Sequence, residues 1–131
     1  MVATSGAPLA TKLGIHPGAV VALLPAPDDL ALEVPAGVTV KRRAVGSADV
    51  VVQFVTRAGD LERRLDHLAA MVRPAGGLWI AWPKRSAGLA TDMDDHVVRE
   101  LALERGLVDN KVCAVDATWT ALRIVWRLEQ R

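Results

Sequence analysis

A single cysteine, Cys113, is all that the 131 residues hold, which excludes an internal disulfide framework and a zinc site built from several thiolates. A reducing cytoplasm is the compartment that fits. An excess of one charge is lacking too: sixteen Lys and Arg face fifteen Asp and Glu, a net +1, so no global field draws the chain onto nucleic acid or an anionic membrane. Neither is expected as a partner. The longest apolar run, "AVVALLPAP", is too short to cross a bilayer, and the opening "MVATSGAPLATKLG" lacks a basic stretch followed by an apolar core. No targeting or membrane-spanning element is expected. His16, His67 and His96 fall in separate elements without metal-ligand spacing, so no metal is expected either.

An apolar share of 51% with 24% charged residues marks a folded globular chain, and its length suits one domain over residues 1–131. Ser5 is placed to cap a short helix through "APLATKLG", with Gly14 ending it. "AVVALL" (19–24) and "DVVVQFV" (49–55) are short continuous apolar runs of the kind buried on both faces of a sheet. Between them, residues 28–33 suggest one helical turn, and "GVTVKRR" a short, polar strand near a sheet edge. Leu61, Leu65, Leu68, Ala69 and Val72 keep helical spacing, with Glu62, Arg63, Arg64 and Asp66 opposite. "RPAGG" predicts the stop of that helix and "LWIAW" the strand after it.

Thr91 or Asp92 is placed to cap a second amphipathic helix carrying Met93, Val97, Val98, Leu101 and Ala102, ended by Gly106. "NKVCAVD" then reads as a fourth core strand, and "ALRIVWRLE" alternates as a strand with one half-exposed face. Alternation of strand and helix predicts parallel strands with right-handed crossovers. The last two strands, with only about six residues between them, must be antiparallel neighbours. The expected fold is α/β: a mostly parallel twisted sheet with helices on both faces and a C-terminal antiparallel hairpin.

The order "DVVVQFV", Leu61 helix, "VRPAGGLWIAW", Val97 helix, "KVCAV", "LRIVWRL" resembles the second half of class I S-adenosylmethionine-dependent methyltransferases. The resemblance implies a shortened methyltransferase-like, Rossmann-like fold. The stretches "LGIHPG", "VALLPAP", "LWIAWPK" and "KVCAVD" also resemble a family of small bacterial proteins catalogued as a domain of unknown function, over about Leu13 to Leu128, which implies no activity.

Nucleotide-binding folds of this kind bring backbone N–H groups to the ligand through glycines after the first strand, and place an acid at the end of the second. Here "LLPAPDDLA" has no glycine between Gly18 and Gly37, and the second strand ends in Lys41, Arg42 and Arg43. No cofactor is therefore expected, and S-adenosylmethionine is not expected to bind. The strand carboxyl ends would gather Asp28, Thr56, Arg57, Lys84, Ser86, Asp116 and Trp119 as a candidate crevice for a small, anionic ligand. Lys84 and Arg85 read either as an anion subsite before a helix N-terminus or as solvated loop charges. Trp79 and Trp82 should face opposite sides of their strand, and Cys113 should be an inert buried thiol.

These observations describe a non-catalytic binding or interaction module, self-associating or joined to a protein partner through an exposed edge or apolar face. The alternative is a small enzyme or sensor using the crevice. An active methyltransferase is the remaining reading.

Overall fold

The computed structural model describes residues 8–127 of the chain. In chain order they form α1 (Leu9–Leu13), β1 (Val20–Leu24), β2 (Thr39–Lys41), β3 (Ala48–Phe54), α2 (Ala58–Met71), β4 (Val72–Pro83), a 3-10 turn (Arg85–Ala87), α3 (Asp95–Leu103), β5 (Leu107–Ala114) and β6 (Trp119–Trp126). The strands make one mixed sheet in the order β2-β1-β3-β4-β6-β5. β2, β1, β3 and β4 run parallel, and β6 pairs antiparallel with both β4 and β5. The α/β fold with its antiparallel C-terminal hairpin is therefore as the sequence indicates.

Apolar residues on both sides of β1, β3 and β4 create two core layers, because successive side chains in a strand point to opposite faces. On one face Leu61, Leu65 and Leu68 of α2, with Val98 and Ala102 of α3, close over Val51, Leu78, Ile80 and Leu122. On the other, Ala10 and Leu13 of α1, Ile15 and half-buried Leu30 and Leu32 cover Val21, Val50, Val52, Phe54 and Trp79. A fully buried leucine contributes roughly 1.5–3 kcal/mol, so α2 is anchored chiefly by its three core leucines. Trp79 and Trp82 do face opposite layers, and both are buried. Trp79 satisfies its indole by donating Nε1–H to the Leu13 carbonyl at 3.0 Å.

Several local expectations are corrected. Residues 28–33 form no helical turn; the chain makes a turn closed by Leu30 N–H to the Pro27 carbonyl and then runs irregularly. "RPAGG" does not merely stop the helix: it enters β4, with a register shift where Ala48 pairs Val72 and Val50 pairs Gly77. α3 is capped by Asp94, whose Oδ1 accepts the Val97 N–H at 2.8 Å. Asp92 instead accepts the Ala58 N–H at 2.7 Å, serving the first turn of α2 from a distant part of the chain. β5 is an edge strand with half of its residues exposed, because β6 inserts between it and β4. The Ser5 cap and Leu128 lie outside the described residues.

Candidate functional site

The chain leaves β1 for β2 on one side, then returns to β3 on the other. Crossovers that part in opposite directions leave a crevice at the carboxyl ends of the strands, the place where open α/β sheets take ligands. In this structure that point holds a cleft of about 370 Å³ at the ends of β1 and β3, walled by Pro25, Pro27, Phe54, Thr56, Asp60 and Trp119.

Each wall is held by local bonding. Asp116 Oδ1 accepts the N–H groups of both Thr118 and Trp119 at 2.8 Å, folding the β5–β6 turn. The Lys84 N–H donates to the Thr118 carbonyl at 2.7 Å, tying that turn to the end of β4. Trp119 then stands edge-to-face on Phe54, ring centroids 5.2 Å apart at 86°, an arrangement aromatic quadrupoles favour. The Thr56 carbonyl accepts Thr91 Oγ1–H at 2.6 Å. Asp60 lies in the first turn of α2, where the helix dipole favours a carboxylate, and is ion-paired with Arg63.

Of the residues singled out from the sequence, Thr56 and Trp119 share this cleft. Asp28 lines a neighbouring hollow on the α1 face with Leu30, Leu32 and Arg42. Lys84 borders a third cleft, between β4 and the start of α3, with Trp82, Thr91 and Asp92. Arg57 stands at the N-cap position of α2 without a side-chain cap bond. Ser86 is exposed in the 3-10 turn, and Asp116 is committed to backbone N–H groups. Sequence reasoning missed Asp60, though its position in the first helical turn after a central strand could have marked it.

Asp95 is held below the usual carboxylate range by its hydrogen bond to Arg99. Burial pushes the Cys113 thiol up, which keeps it in the neutral, unreactive form. Among the described residues no group of three or more His, Cys, Asp or Glu is arranged to hold a metal ion, and no helix is long and apolar enough to cross a membrane.

No family model and no curated protein matches the chain, so membership of a small bacterial family is not shown. Solved structures do match, all at the level of fold. Magnesium protoporphyrin IX methyltransferase from Synechocystis PCC 6803 with bound S-adenosylmethionine aligns with a TM-score of 0.60 at 13% identity, over 91% of this chain and 74% of that one. The same enzyme with bound S-adenosylhomocysteine aligns at 0.54 and 14% identity, over 69% of this chain; the match spans about half of that protein's length, 51%. Ribosomal protein L11 methylase from Lactobacillus delbrueckii subsp. bulgaricus gives 0.56 at 10% identity, over 91% and 75%. These neighbours correct the expectation against S-adenosylmethionine, since structures that hold it or its demethylated product share this fold. The expectation leaned on a missing glycine loop and a missing acid, which are features of sequence that the shared architecture does not require. The fold is that of S-adenosylmethionine-dependent methyltransferases.

Proposed function

We propose that the chain binds S-adenosylmethionine or S-adenosylhomocysteine in the cleft between the ends of β1 and β3, and that it serves as a binding module. The observation that carries this reading is the position of the cleft at the reversal of strand order, with a tryptophan, a carboxylate and a guanidinium on its walls.

The residues fit such a ligand. The cleft falls within the roughly 300–1,000 Å³ of small-molecule sites. Trp119 offers an aromatic wall for an adenine ring or a sulfonium cation. Asp60 is an acceptor for ribose hydroxyls, and Arg64 is a cation for a ligand carboxylate. The cations that end β2 do not obstruct it. Lys41 Nζ is turned back onto the carbonyls of Val45 and Ser47 at 3.2 and 3.0 Å, and Arg42 and Arg43 line other clefts. Pro25 and Pro27 have no N–H to present, so side chains replace a glycine-loop cradle.

Binding without transfer is favoured because the carboxylate on the cleft wall, Asp60, is already ion-paired with Arg63. Calorimetry with both ligands tests the reading. Saturable binding that Trp119→Ala weakens by about tenfold is expected, and no binding at about 1 mM ligand would refute it. Incubation of the protein and a cell extract with methyl-labelled S-adenosylmethionine should add no label beyond that of the extract alone. Added incorporation would overturn the non-catalytic half.

A further inference from the structure

Beside the proposed ligand cleft, on the α2 face of the sheet, lies a second hollow of about 470 Å³. Its rim is built of basic side chains from two elements. Arg42 and Arg43 come from the loop after β2, Arg63, Arg64 and His67 from α2. No carboxylate lines it. That concentration is unexpected in a chain of net charge +1. Of these arginines only Arg63 forms a salt bridge among the described residues, with Asp60.

The loop that carries Arg42 and Arg43 is pinned. The His67 ring donates to the Ala44 carbonyl at 2.7 Å, and Lys41 bridges to Val45 and Ser47. The guanidinium groups of loop and helix are thus brought to one opening. Beneath them the walls are apolar, from Leu24, Pro25, Ala44 and Leu68.

One polar group sits within those walls. Gln53 is only 1% exposed, yet it lines the hollow. Its Nε2 donates to the carbonyls of Leu24 at 2.7 Å and Phe54 at 2.9 Å. Both amide hydrogens are spent there, which fixes the orientation of the amide and turns Oε1 away from those carbonyls. No described residue donates to Oε1. Gln53 borders the hollow, and its Oε1 is the one side-chain oxygen among the residues that line it.

An apolar wall, a single acceptor and a rim of guanidinium forks define a complementary shape: an apolar body, a hydroxyl or N–H donor, and an oxyanion head suited to bidentate contacts. We infer that this hollow binds a small organic oxyanion, a phosphate monoester or carboxylate on an apolar body. Pro25 and Arg64 line both clefts, so Arg43, which lines only this one of the two, is the residue to change.

NMR titration of the intact protein with phenyl phosphate, benzoate and inorganic phosphate tests the site. Phenyl phosphate or benzoate, whichever head the rim prefers, should give saturable shifts at the Gln53 side-chain amide and His67, and bind about tenfold more tightly than inorganic phosphate. Arg43→Ala should weaken that binding by about tenfold, with Arg43→Lys recovering only part because it keeps the charge and loses the fork. Trp119→Ala should leave it unchanged. Absent or non-saturating shifts, equal binding of inorganic phosphate, or indifference to Arg43→Ala would each overturn the inference, and so would its loss in Trp119→Ala. Failure of S-adenosylhomocysteine to bind, with phenyl phosphate still binding, would remove the proposed function alone.

Discussion

Asp49 shows how one side chain ties the amino ends of three strands. Its Oδ2 accepts the Val20 N–H at 2.8 Å and its Oδ1 the Arg73 guanidinium at 2.7 Å, linking β3 to the first residues of β1 and β4. The Val20 hydrogen bond, and after it the Arg73 pair, hold its carboxyl below the usual range despite partial desolvation. A group whose folded pKa is depressed stabilises the fold fully above its unfolded pKa, about 3.9, and loses that contribution as pH falls through the lower folded value. Asp49→Asn should therefore lower the urea midpoint at neutral pH, and the gap from the unaltered protein should close below about pH 4. A gap that stays constant across that window would show that the charge is not what matters. None of this was legible in the sequence, where Asp49 is simply the first letter of an apolar run. The helix residues Leu61, Leu65 and Leu68 were legible, because their spacing alone requires a buried face.

At the scale of an element, β4 is the instructive case. A Pro-Ala-Gly-Gly run normally signals a break, yet here it is strand, because pairing with β3 continues across a register shift at Ala48 and Val50. Gly76 makes that possible: a Cβ there would collide with the backbone carbonyl oxygen of Asp49. At Gly77 the added carbon would meet the Arg123 guanidinium, a flexible group. Gly76→Ala should therefore destabilise by about 1–3 kcal/mol, and Gly77→Ala by distinctly less. Equal urea midpoints for the two variants would contradict this. The cap of α2 was hidden for a related reason. Asp92 reaches Ala58 across 34 positions, and a local pattern cannot assign a cap that tertiary structure supplies. The Arg42, Arg43, Arg64 and His67 rim was invisible likewise, since its members read separately as a strand end and a solvated helix face.

Over the whole molecule, protection should follow the order of the sheet. β3 and β4 lie inside it and are buried on both faces, while β2 is a three-residue edge strand, half-exposed. Native-state hydrogen exchange should show the amides of Val51, Val52, Trp79 and Ile80 opening only with global unfolding, and those of Thr39 to Lys41 at much lower cost. Comparable protection in β2 and β3 would refute that gradient. The parallel sheet and its closing hairpin were legible because periodicity, turn residues and connection length are local. Which hairpin strand lies inside was not, since both orders satisfy the same short connection. That order sets a sequence of events during synthesis. β5 is made before β6, yet its sheet neighbour is β6 alone. Until β6 emerges from the ribosome, β5 has nothing to pair with and the open side of β4 stays bare. The nascent chain thus carries unpaired strand edges until β6 has been made, a condition in which α/β proteins are prone to associate wrongly.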